Sequence, residues 1–144
     1  MKLIRFYLPA MVWTLVILIL TLMPAVDIPH PPPFLQIPHL DKLVHGGIFA
    51  LFVILWYAAS YKSFSATYGK TKDTGIRQYH PLTVLAVVIL AAVILGLLIE
   101  ITQKEWTTIH RDFEWFDWLA DIIGAFFGGA VANEIFKIKP GSPK

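Results

Sequence analysis

The stretch from Pro81 to Gln103, PLTVLAVVILAAVILGLLIEITQ, decides the fold class. Glu100 is its only charged residue. It is long enough for a helix to cross the hydrocarbon core of a bilayer, which takes roughly 20 mostly apolar residues. Pro81 suits the first helical turn, where a missing N–H costs nothing. Working outward, residues 40–61 form a second such run, uncharged from Leu43 onward. Residues 3–23 form another, free of charge from Phe6 to Met23 and closed by Pro24. Its Pro9 lies in the first turns, where proline is tolerated. Residues 116–136 give the fourth and least apolar segment, because Asp117 and Asp121 lie in its first half. The pattern predicts an all-α membrane protein, a four-transmembrane-helix bundle forming a single domain over residues 1–144.

Composition agrees. The chain of 144 residues is 56% hydrophobic and only 15% charged, where a soluble domain carries about a quarter charged residues. It has no cysteine, which excludes disulfides and thiolate metal sites. A formal charge of +2 is too small to point to nucleic acid. The first segment has Lys2 and Arg5 before its apolar run but no small-x-small cleavage site before Asp27, so it is expected to stay as a helix.

The charges segregate along the chain. Lys2, Arg5, Lys62, Lys70, Lys72, Arg77, Lys137, Lys139 and Lys144, nine of the twelve basic residues, fall at the termini and between the second and third segments. Only Asp73 and Glu134 accompany them. The positive-inside rule then puts both termini in the cytoplasm and the acidic loops outside the cytoplasmic (inner) membrane. The first outer loop holds Pro29, Pro31, Pro32, Pro33 and Pro38 and is expected to be extended and stiff. Trp106, Trp115 and Trp118 are placed for an outer interfacial belt, and Tyr57 and Tyr61 for an inner one. Ala120, Gly124, Gly128 and Ala132 make a small-residue stripe on the fourth segment, expected to pack within the monomer rather than in a dimer. Gly46 and Gly47 are expected to serve close approach as well.

The outer ends of segments two, three and four collect the polar residues. Asp41 and His45 are one helical turn apart, with Lys42 beside them. Glu100 and Gln103 share a face of the third segment, and Asp117 and Asp121 share one on the fourth. Arg111 stands shortly before that last segment. His45 and Asp121 lie about one turn inside their helix starts, roughly 5 to 8 Å inward. Ionisable groups at that depth must face the bundle interior and are functional candidates. Acidic residues outnumber basic ones there, so the cluster should retain a proton, recruit a cation or await a cationic ligand.

Plainer roles also fit these residues. Asp41 suits a helix N-terminus, Lys42 a snorkelling position and Arg111 the neutralisation of Asp117. Glu105, Asp112 and Glu114 read as solvated loop charges outside the site. One histidine with several carboxylates matches the donor set of zinc or a harder divalent ion. The spacing nevertheless lacks an HxxxH or HExxH pair, so no metal and no other cofactor is expected.

In order and spacing, Asp41-Lys42-x-x-His45-x-x-x-Phe49, Glu100-x-x-Gln103, Arg111 and Asp117-x-x-x-Asp121-x-x-Gly124-x-x-x-Gly128 together resemble the VanZ-like family. The resemblance runs from about Asp41 to Gly129. It implies signature roles for Asp41, His45, Glu100, Gln103, Arg111 and Asp117, and a link to resistance against teicoplanin, a glycopeptide antibiotic with a lipid tail. Where the family commonly has Asn, this chain has Asp121, which favours a hydrogen-bonding role there over a catalytic acid.

Three functions stay open on the sequence. An enzyme at the outer leaflet would act on a lipid head group or lipid-linked envelope precursor. In it His45, oriented by Asp41, is the base, Glu100 or Asp117 a second acid/base, and Lys42 and Arg111 hold phosphate. A binding protein would sequester a cationic or amphiphilic ligand, or alter antibiotic access, through Asp117 and its neighbours. Transport ranks last, because the inner halves of the helices carry few polar residues beyond Thr14.

Overall fold

The structure, a computed structural model, describes residues 3–23, 40–68, 80–105 and 113–136. They form four helices, α1 (Ile4–Thr21), α2 (Leu40–Tyr68), α3 (Pro81–Glu105) and α4 (Trp115–Ile135). No strand occurs among the described residues. Each helix is long and apolar enough to cross a membrane, α3 the most apolar and α4 the least. The protein is a multi-pass, all-α membrane protein. The proline-rich loop, Trp106, Arg111, Asp112 and the basic residues at 70, 72, 77 and beyond 136 lie outside the described residues.

The helices occupy the segments that hydropathy predicts, with one clear difference. α2 continues seven residues past Tyr61, to Tyr68. Apolarity marks where a helix can lie in lipid, whereas backbone hydrogen bonding continues for as long as the residues tolerate it. In this extension the Thr67 hydroxyl donates back to the Ser63 carbonyl. α1 passes through Pro9 without a break.

α2 and α4 are the most extensively packed pair, with α1 and α3 flanking them. The small-residue stripe explains this. Gly124 lies on the backbone of Gly46, and Gly128 on that of Ala50, so closely that a Cβ at either glycine would overlap main chain. The stripe is therefore spent inside the monomer, as expected. Gly46 takes part, but Gly47 does not, since its surroundings are open.

Ile17, Phe49, Val53, Ala92, Ile99 and Ala125 are buried between the helices. Exposed apolar side chains such as Leu15, Leu90 and Phe127 cover the outside, as lipid requires. Polar groups that cannot reach water are tied between helices. The Trp13 indole N–H donates to the Ile48 carbonyl at 2.9 Å and that of Trp56 to the Thr14 hydroxyl at 3.1 Å. The Trp118 indole N–H donates to the Val93 carbonyl at 3.1 Å.

Two belt expectations change. Tyr57 is buried in the bundle and meets the edge of Phe136, so it is a core residue rather than a lipid-facing anchor. Trp118 is half-buried and bound to α3, whereas Trp115 is exposed as an anchor should be.

Candidate functional site

The starts of α2 and α4 and the last turns of α3 meet at one end of the bundle. Helix N-termini carry partial positive charge, so both starts favour carboxylates. Asp41 lies in the first turn of α2 and Asp117 in the first turn of α4. Glu100 sits near the C-terminus of its own helix, where the dipole disfavours it. It escapes by reaching across, and its Oε2 accepts the backbone N–H of Glu114 at 2.9 Å, just ahead of α4.

Close packing of α2 on α4 sets the rest. His45 Nδ1 lies 3.0 Å from Asp121 Oδ1, and Nε2 lies 3.8 Å from Asp117 Oδ2. Asp121 and Glu100 are each 1% exposed. With Asp121 as a carboxylate and the ring neutral, Nδ1 carries the ring proton and Nε2 keeps its lone pair. Asp121 fits only because α3 has glycine opposite; a Cβ at Gly96 would stand 2.8 Å from Asp121 Oδ2. Asp121 Oδ2 and Glu100 Oε1 are buried and have no hydrogen-bond partner among the described residues.

Lys42 is fully engaged. Its ammonium donates to Asp41 at 2.5 Å, to Glu114 at 3.1 Å and to Asp117 Oδ1 at 2.5 Å. An ammonium has three donors, and all three are used.

No protein-family model, no curated protein and no solved structure matches this chain.

Of the residues singled out in the sequence, His45, Glu100, Asp117 and Asp121 converge, with Lys42 on their rim. Three assignments change. Asp41 does not orient His45: its exposed carboxylate pairs with Lys42, while the close α2–α4 contact puts Asp121 beside the ring instead. Lys42 has no donor left for a phosphate. Gln103 is buried but turned to α1, its amide N–H donating to the Thr21 carbonyl at 2.8 Å, where it satisfies the end of that helix. Arg111 lies outside the described residues.

Two contributors escaped the sequence reading. Glu114, taken as a loop charge, supplies the N–H that holds Glu100 and a carboxylate to Lys42. Gly96 makes room for Asp121, and its position one turn before Glu100 was the available signal.

Two groupings have metal-ligand proximity. His45, Glu100 and Asp117 each bring a donor atom within 4.8 Å of the others, as do Asp41, Glu114 and Asp117. In the second, the Lys42 ammonium already reaches all three carboxylates and supplies the cation. The first has no such occupant among the described side chains.

Proposed function

We propose that the protein is a VanZ-like enzyme of the cytoplasmic membrane, acting at its outer face on the head group of a lipid or lipid-linked envelope precursor. One observation carries this reading. His45, Glu100 and Asp117 come from three helices and bring titratable atoms together, within 4.8 Å, at one end of the bundle. Buried polar atoms of a purely structural cluster are as a rule hydrogen-bonded, and here Glu100 keeps a buried oxygen without a partner among the described residues.

An apolar groove of about 590 Å³ supports a lipidic substrate. It runs from Lys42 between α2 and α4, past Leu43, Gly47, Ala50, Ile123 and Phe127. Gly47, idle in helix packing, keeps this groove open. An acyl or prenyl chain lying there would bring its head group to the polar end. His45 and Glu100 exchange protons with it, and Asp121 holds the His45 ring. Both termini face the cytoplasm in this orientation, by the basic residues at 2, 5, 62, 70, 72 and 77 and at the C-terminus.

The test compares envelope lipids and lipid-linked precursors by mass spectrometry from cells overexpressing wild type or Glu100→Gln. A species that changes with wild type and not with the variant is the expected result. Identical profiles from both would sink the enzyme reading.

A second reading, a binding protein for a cationic amphiphile, draws on the charge balance. Among the described residues, Asp41, Glu100, Glu114, Asp117 and Asp121 surround only Lys42 and His45. It predicts saturable binding that weakens in Asp117→Asn, unchanged lipids and, by the VanZ-like resemblance, reduced teicoplanin susceptibility on overexpression. Transport stays last, because every buried acidic side chain among the described residues lies at this one end.

A further inference from the structure

His45, Glu100 and Asp117 share a pattern that acid–base chemistry alone does not require. Each has one functional atom tied down and another without a hydrogen bond among the described residues. His45 Nδ1 is held by Asp121, Glu100 Oε2 by the Glu114 backbone N–H, and Asp117 Oδ1 by Lys42. That leaves His45 Nε2, Glu100 Oε1 and Asp117 Oδ2, with Glu100 Oε1 buried and unpartnered among the described residues.

We infer that these three residues bind one divalent transition-metal ion of the zinc class. Metal-binding histidines almost always pass their other N–H to a carboxylate, a backbone carbonyl or water, and ligating carboxylates are themselves hydrogen-bonded. Asp121, Glu114 and Lys42 stand in those supporting positions. The donor set, one imidazole nitrogen and two carboxylate oxygens, suits zinc and leaves its fourth position for water or substrate. Two donors about 2.1 Å from a tetrahedral ion lie roughly 3.4 Å apart. His45 Nε2 and Asp117 Oδ2, at 3.8 Å, need close only slightly. The dication also offsets the carboxylate surplus, and it supplies the positive charge for a phosphorylated head group that Lys42 cannot. Sequence spacing hid this set because its ligands come from three helices.

The inference rests on the proposed location of the working centre, and it adds that the atoms open to a proton take a cation in its place when the ion is bound. The experiment uses the full chain, purified in detergent micelles, stripped with chelator and titrated with zinc by calorimetry. Wild type and the exposed-residue control Glu105→Gln should each bind about one equivalent. His45→Ala and Glu100→Gln should lose this site. Asp121→Asn keeps a hydrogen bond to the ring and should bind 10- to 100-fold more weakly. Circular dichroism and gel filtration confirm that each variant is folded. No binding by wild type, or equal binding by folded His45→Ala, overturns the inference. Zinc binding without any lipid change would uphold it while removing the enzyme reading; a lipid change without zinc binding would do the reverse.

Discussion

Asp121 occupies a position where a carboxylate is costly, 1% exposed between three helices. It is tolerated because His45 Nδ1 lies 3.0 Å from one oxygen and Gly96 yields room for the other. Gly96→Ala would put a methyl group 2.8 Å from Asp121 Oδ2. Overpacking of this kind costs about 1–3 kcal/mol. The expected outcome is a lower melting temperature in detergent together with a weakened zinc site, read by thermal scanning and calorimetry on one sample. Unchanged melting and binding would mean that α3 shifts freely away from Asp121.

Lys42 gives a second prediction at this scale. Lys42→Met removes the partner of three carboxylates, two of them exposed, and ion pairs of that kind contribute up to about 1 kcal/mol each. The variant should unfold earlier in a denaturant titration, and any lipid change that wild type produces should weaken without vanishing, because Lys42 holds Asp117 Oδ1 but has no donor free for substrate. Loss of that change at full stability would restore Lys42 to a binding role.

Among the elements, the α2–α4 contact positions the site. Gly124 and Gly128 meet main chain on α2, and main chain cannot rotate aside as a side chain can. Gly124→Ala must push the helices apart, carrying His45 away from Asp121. A loss of about 1–3 kcal/mol is expected, measured against Gly47→Ala, which meets open space and should unfold like wild type. Equal unfolding of the two variants would refute the contact. The stripe was visible in the sequence from its four-residue spacing, and small residues at that spacing predict close packing. Its partner was not visible, because Gly46 and Gly47 look alike in a sequence and only the rotation of α2 about its axis separates them. The same rotation buries Tyr57 and exposes Asp41.

For the whole molecule, the proposed orientation rests on charge placement and can be tested directly, since the chain has no cysteine of its own. Ser65→Cys and Glu105→Cys are exposed near opposite ends of the bundle. A membrane-impermeant maleimide should label Glu105→Cys in intact spheroplasts and Ser65→Cys only after lysis. The opposite pattern would put the polar end in the cytoplasm and exclude an outer-leaflet substrate.

The four spans were legible in the sequence by itself, as was the gathering of acids with one histidine at a common level. Hydropathy is a property of segments, and the bilayer acts on segments, so neither inference needed contacts between helices. Which carboxylate holds His45, which glycine admits Asp121, that Gln103 serves α1, and that Glu114 belongs to the cluster were decided by tertiary structure alone. Each depends on how far one helix is turned and slid against another. Those degrees of freedom are set by backbone approach at Gly46, Gly124 and Gly128, and a one-dimensional spacing rule does not contain them.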